Sequence, residues 1–372
     1  MINNCLPMQL IRSMLKLCKP ITLAIAPSLV FLAFVLSIVG TGAVDASPKD
    51  DAYHYMSNGI DDQLYQEWWT FYATDNDTHL MLLYLLSDPE NRSSARKIEV
   101  QAVIMQDEKP ILQGEHFSRG YGGDINSPML DIDKSGFSLE DESNLRVKGE
   151  VEDRVGGEPI QWDLVFEPLA RPWFAIPVQA HFGHIKGDWI KWLAYMPSAQ
   201  VTGSMNIGNR TIPIRGTGCH DHAWGRFSLS DPRIITASAC YPLEAFSLSF
   251  FEVSGEEKLS QLRIEKDGKN IVFSDRQIAL NCTEYAFDNE SNSTFPRRYL
   301  VEADNGNYRL NLTVDAIKSA VDVLDYEQPA PSILFIQQAS LLQGMLQSKT
   351  GEIYSFNRTG FSHYCAGMMP EQ

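Results

Sequence analysis

Short runs of alternating apolar and polar residues, broken at close intervals by turn-forming pairs, dominate the chain and leave little room for helices. Arg309-Leu310-Asn311-Leu312-Thr313-Val314-Asp315 alternates strictly, the period of a strand with one face buried. Asn305-Gly306 lies between that run and Tyr299-Leu300-Val301, and an Asn-Gly pair readily adopts the positive φ angles of a tight hairpin. Asp267-Gly268, Ser254-Gly255, Gly156-Gly157, Gly208-Asn209 and Thr350-Gly351 are further turn signals. Such spacing predicts an all-β chain of sandwich or barrel lobes rather than βαβ units. One short helix is expected at Ser332–Gln347, where Ile333, Ile336, Leu341 and Leu342 roughly follow helical spacing.

The N-terminus reads as a leader. Arg12, Lys16 and Lys19 precede Ile21–Val44, a mostly apolar stretch without charge. Val44-Asp45-Ala46 places small residues at the usual offsets, so cleavage after Ala46 is expected. The alternative is an uncleaved anchor, because about 24 residues can span a bilayer. Asn-x-Ser/Thr occurs at Asn76, Asn91, Asn209, Asn281, Asn289, Asn292, Asn311 and Asn357, eight of the fifteen asparagines after Ala46. Chance would give about two. The excess predicts a glycosylated eukaryotic protein of the secretory pathway, secreted or held in an endomembrane lumen, with those eight sites on the surface.

Without the leader the chain carries 28 basic and 46 acidic residues. That field repels phosphate backbones, so nucleic acid is excluded as a partner. Cys219, Cys240, Cys282 and Cys365 remain after cleavage and permit three disulfide pairings. The mature length exceeds one ordinary β-barrel, which predicts two lobes in close contact. The division is expected just after Trp224-Gly225, giving an N-terminal lobe at 47–226 and a C-terminal lobe at 227–372.

Three segments carry the residue types of a reaction site. In Glu67-Trp68-Trp69-Thr70-Phe71-Tyr72, a strand puts Glu67, Trp69 and Phe71 on one face and Trp68, Thr70 and Tyr72 on the other. A carboxylate among aromatics is partly desolvated, which raises its pKa and suits a general acid; pairing with an arginine in a core strand is the alternative. In Gly187–Pro197, Trp192 lies opposite Trp189, Lys191, Leu193 and Tyr195, and these aromatics suit either an apolar ligand pocket or ordinary core packing. In Gly216-Thr217-Gly218-Cys219-His220-Asp221-His222-Ala223-Trp224-Gly225, an extended backbone points His220 and His222 one way and Asp221 the other. Two histidines at this spacing can hold a metal, but no third ligand is evident, so none is expected. Asp221 fits a fixed carboxylate or proton donor better. Cys219 beside His220 also admits a nucleophile, although a secreted thiol is more often oxidised. The chain lacks a G-x-S-x-G elbow, an H-E-x-x-H motif and a Gly-rich nucleotide loop, so no cofactor is expected.

At these three segments the chain resembles the carotenoid 1,2-hydratase/hydroxyneurosporene synthase-like superfamily. That group includes lipocalin-like secreted bacterial proteins and, distantly, fungal Diels–Alderases and hetero-Diels–Alderases. The resemblance covers most of the mature chain loosely and is specific in the Glu67-Trp68-Trp69 strand and the His220–Gly225 stretch. It implies two lipocalin-like β-barrel or β-sandwich lobes and cofactor-free work on a polyene-like, polyketide or terpenoid molecule. It implies Asp221 as proton donor, with Glu67 as a second acid or structural partner. The group usually has tyrosine at the position of Cys219 and asparagine at that of Ala223, so this chain lacks two hydrogen-bonding side chains.

Hydration of an alkene needs a positioned acid and water, whereas a pericyclic cyclase needs a shaped pocket and one or two hydrogen bonds. The leading expectation is therefore a Diels–Alder or hetero-Diels–Alder cyclase of fungal secondary metabolism. Asp221, His222, His220 and Glu67 are its candidate catalytic residues; Trp68, Trp69, Trp192, Tyr195 and Trp224 are its candidate substrate-binding residues. The alternatives are a hydratase or hydrolase using Asp221 as acid, and a non-catalytic lipocalin-like carrier. A hydrophobic small molecule is the expected partner, and a membrane only through residues 21–44 if these are uncleaved.

Overall fold

The computed structural model describes residues 46–55, 64–91, 96–181, 189–227, 233–241, 244–255, 258–324 and 332–368, with the backbone alone at 177–181. Apart from Ala46, the expected leader lies outside them.

The chain folds into two antiparallel sheets. The first contains β1 (Tyr65–Asp75), β2 (Thr78–Ser87), β3 (Lys97–Gln106), β4 (Leu112–Phe117), β5 (Gly122–Gly123), β6 (Met129–Ile132), β7 (Ser135–Leu139), β8 (Leu145–Asp153), β9 (Pro159–Pro168), β10 (Trp173–His181), β11 (Trp189–Ile207) and β12 (Arg210–Arg226). Its order is β10-β11-β12-β1-β2-β3-β4-β8-β7-β6-β5, and β9 pairs with both β8 and β11. That double pairing closes a ring through β11, β12, β1, β2, β3, β4, β8 and β9, so the first lobe is a barrel.

The second sheet contains β13 (Arg233–Tyr241), β14 (Phe246–Ser254), β15 (Lys258–Lys266), β16 (Lys269–Ser274), β17 (Ile278–Asp288), β18 (Ser293–Asp304), β19 (Tyr308–Leu324), β20 (Ile333–Ser348) and β21 (Ile353–Gly367), in the order β16-β15-β14-β13-β21-β20-β19-β18-β17. This is the all-β, two-lobed architecture expected from the alternating runs. The Asn305-Gly306 hairpin forms as read: Leu300 pairs with Thr313, and Gly306 adopts φ +82°. Leu310, Leu312 and Val314 point into the second core, while Asn311 between them is exposed.

Local pattern and tertiary packing conflict at β20. Its first eight residues, apart from Phe335, are buried on both faces, so the period of two is lost and the apolar residues fall by chance at helical spacing. The helix expected at Ser332–Gln347 is therefore a strand. The double burial arises because the lobes pack face to face. Trp68, Leu83, Leu85 and Trp192 of the first lobe share one apolar cluster with Phe251, Val253 and Ile333 of the second. Full burial stabilises by about 1.5–3 kcal/mol for each leucine-sized side chain, so this contact holds the lobes strongly.

Candidate active site

Strands β1 and β12 form the wall between the first lobe's interior and the second lobe. Their register pairs Glu67 with Trp224, Trp69 with His222, Thr70 with Asp221 and Phe71 with His220. Gly218 makes the close approach possible, since a Cβ there would lie 2.2 Å from the Tyr72 carbonyl oxygen. Alternation then divides the titratable stretch between two environments.

Inside the barrel, His220 and His222 meet two carboxylates. His220 Nε2 lies 3.0 Å from Asp51, and its Nδ1 lies 2.8 Å from the Thr70 carbonyl oxygen. His222 Nε2 lies 3.0 Å from Glu67 Oε1, while its Nδ1 faces Asp51 at 3.3 Å with poor hydrogen-bond alignment. Glu67 also accepts from the Tyr65 hydroxyl at 2.7 Å and from the His54 backbone at 2.9 Å. Trp69 stacks on His222 at 4.4 Å, and Phe71 stacks on His220 at 4.0 Å. Burial opposes charge throughout this network. Even so, His220 and His222 hold the Asp51 carboxyl below its usual range, and Asp51 and Glu67 hold His222 above its own. The result is a sealed network in which two histidines are paired with two carboxylates.

On the opposite face, Asp221 looks toward the second lobe. Thr70 Oγ1 donates to Asp221 Oδ1 at 2.5 Å. Burial pushes this carboxyl up to about 6, against the opposing influence of Thr70, His220, Tyr72 and His222. The Tyr72 hydroxyl lies 3.3 Å from Nδ1 of His363 on β21. His363 is buried without a charged partner, and desolvation pushes it down to about 3.

Two small cavities open between the lobes and share Trp192 and Thr236 in their walls. The larger is bounded by Trp68, Leu83, Leu85, Trp192, Ile234 and Phe335, with Thr70, Thr236, His363 and Cys365 among its polar residues. The smaller is bounded by Trp173, Phe250, Phe251 and the stretch Cys219–Asp221. The larger has a volume of about 50 Å³. An apolar cavity that holds benzene measures about 150 Å³, so a larger ligand requires side chains or lobes to move apart.

The residues expected at one site are thus divided. Asp221, Trp68 and Trp192 border the cavities between the lobes. Glu67, Trp69, Tyr195 and Trp224 belong to the interior of the first lobe, as do the imidazoles of His220 and His222. Asp51, Thr70, Tyr72 and His363 were missed. Alternation groups Thr70 and Tyr72 with Trp68 without marking them as site residues, and no local signal marks Asp51 or His363.

Cys219, Cys240, Cys282 and Cys365 are free thiols. Burial raises Cys219 and pushes Cys240 to about 11, which suppresses nucleophilic thiolate. Among the described residues, oxygens of Glu99, Glu115 and Asp322 come close enough together to hold a metal ion. Arg154 and Lys97 already supply cationic partners there.

No family model matches the chain, and no curated protein matches it in sequence. Solved structures do match. An AttH candidate from Nitrosomonas europaea is similar over 89% of this chain and 99% of its own, with a TM-score of 0.63 at 13% identity. Kievitone hydratase from Nectria haematococca matches over 87% and 95%, with a TM-score of 0.56 at 11% identity. CghA, solved with Sch210972, matches over 88% and 97%, with a TM-score of 0.52 at 11% identity. The chain therefore shares the two-lobed, all-β fold of these proteins.

Proposed function

We propose that the chain is a cofactor-free enzyme that transfers a proton to an apolar, isoprenoid- or polyketide-like molecule held between the lobes, with Asp221 as the acid. One observation carries this reading. Asp221 is a desolvated carboxyl at an aromatic-lined cavity, with a pKa of about 6 that lets it hold and release a proton near neutrality. In a hydration, Asp221 gives its proton to an alkene carbon, water adds to the resulting cation, and the proton shed by that water returns to the carboxylate. The shared fold with kievitone hydratase supports this assignment.

A cyclisation is the second reading, supported by the shared fold with CghA, which was solved with Sch210972. The apolar walls at Trp68 and Trp192 would hold a folded conformer, and Asp221 would hydrogen-bond to a carbonyl. The eight exposed sequons support a glycosylated protein of the secretory pathway.

The test is incubation with a panel of prenylated phenols, kievitone among them, and acyclic polyenes in oxygen-18 water. A product heavier by one labelled water supports hydration. An isomer of unchanged mass supports cyclisation. Binding across the panel without conversion would leave a carrier and defeat both enzyme readings.

A further inference from the structure

Asp221 does not itself line the larger, more apolar cavity. The ionisable groups that do are His363 and Cys365, and burial pushes the Cys365 thiol up to about 12. His363 is therefore the group able to exchange protons there. Its Nε2 is buried and has no hydrogen-bond partner among the described residues. The same is true of Oε1 on Gln337, its cross-strand neighbour on β20. A buried orphan on a residue that lines the cavity, as His363 does, points to a polar group that arrives with a ligand. On the other side of the ring, Nδ1 meets the Tyr72 hydroxyl, and Tyr72 stands two residues beyond Thr70, which binds Asp221.

We propose that Asp221, Tyr72 and His363 form a proton relay that delivers acid–base chemistry to the larger cavity through Nε2 of His363. The proposal rests on the reading of the space between the lobes as the active site, and it names the residue that touches the ligand there. With Asp221 ionised, the Tyr72 hydroxyl, diagonal to it across β1 and β12, turns to donate to the carboxylate beside Thr70, and His363 Nδ1–H donates to the Tyr72 oxygen. Nε2 then presents a lone pair. When Nε2 takes a proton from an acidic C–H or O–H of the ligand, the Nδ1 proton passes to Tyr72 and the Tyr72 proton passes to Asp221. The ligand gains the negative charge that Asp221 loses, and the imidazole is neutral before and after. Run in reverse, the relay returns a proton to another atom of the ligand. It thus suits reactions that remove one proton and add another, such as elimination, hydration and double-bond shifts.

The surroundings permit this. Desolvation disfavours an imidazolium at His363, and the facing residues on the adjacent strands, Thr236 and Gln337, are uncharged. Asp221 is faced by Thr70 and Tyr72 on β1, with Cys219, His220 and His222 on its own strand. Tyr72 and Asp221 are diagonal neighbours on one face of the β1–β12 pair, and Tyr72 favours the ionised carboxyl. The state of Asp221 therefore selects which His363 nitrogen carries the single proton.

Nitrogen-15 NMR of histidine-labelled full-length protein reads this without any ligand, with the signal assigned through His363→Gln. From about pH 5 to about pH 8 the proton on His363 is expected to move from Nε2 to Nδ1, with the ring uncharged throughout. Asp221→Asn and Tyr72→Phe should each abolish the movement while the other histidine signals stay in place. A proton fixed on one nitrogen across that range would overturn the relay. So would a movement that survives in Tyr72→Phe. Either result would leave the enzyme reading standing on its own assay.

Discussion

His220 and Asp221 are adjacent on β12 and act in different compartments. The imidazole binds Asp51 inside the barrel at 3.0 Å, and the carboxyl binds Thr70 at 2.5 Å on the face turned to the second lobe. If Asp221 is the acid proposed above, this arrangement separates stability from chemistry.

Substitutions on the two faces should behave differently. Asp51→Asn or His222→Gln leaves a buried charge without its partner and should cost about 3–5 kcal/mol in urea unfolding. Asp221→Asn keeps an acceptor for Thr70 and removes a carboxyl that burial disfavours, so its stability near pH 8 should match or exceed that of the parent. In the same variant turnover should collapse while ligand affinity, read by tryptophan quenching, is retained. Equal destabilisation on both faces would contradict the division.

The contribution of Glu99 to stability should fall as pH rises from about 4.5 to about 7, opposed by His363, whose folded-state pKa, lowered from 6.5 to about 3, makes its own contribution rise with pH across that range. Burial pushes Glu99 up to about 7 from its ordinary 4.5. Its folded-state pKa exceeds the unfolded one, so the folded chain binds more protons in that window and loses the advantage as pH rises through it. The full effect is on the order of 3 kcal/mol. Asp221 contributes in the same direction between its ordinary range and about 6. The stability of the parent relative to Glu99→Gln should therefore decline by that amount across the window, as read by chemical denaturation across pH. A slope unchanged in that variant would remove Glu99 as its source.

Trp192 closes the space between the lobes, packing on Phe251 at 4.3 Å and edge-on to Trp68 at 5.7 Å. Trp192→Ala should cost about 3–5 kcal/mol and leave room for a small aromatic molecule. Indole should then raise the melting temperature of the variant and leave the parent unaffected. Equal responses of both proteins would show that the space does not open as the packing indicates.

All eight sequon asparagines are exposed, and Asn76, Asn91 and Asn292 sit at positive φ. Expression in a eukaryotic secretory host should give a protein that begins near Ser47 and loses several attached glycans on enzymatic deglycosylation. Intact mass spectrometry showing an unmodified chain would end the secretory reading.

Much of this was legible in the residues themselves. Alternation placed Glu67, Trp69 and Phe71 on one side of a strand and Trp68, Thr70 and Tyr72 on the other, because side chains of an extended backbone must alternate. The same rule set Asp221 against its two flanking histidines, and Asn305-Gly306 located a hairpin because few other pairs accept its backbone angles. What each face meets was beyond that rule. Trp69, Tyr195 and Trp224 look like pocket residues by type and are barrel core by position. Strand β20 resembled a helix because packing on both sides erased its period. Asp51 reaches His220 across 169 residues, and His363 reaches Tyr72 across 291. Partners so distant are joined by sheet closure and lobe packing, so only the tertiary structure decided which titratable groups are sealed in pairs and which face the space between the lobes.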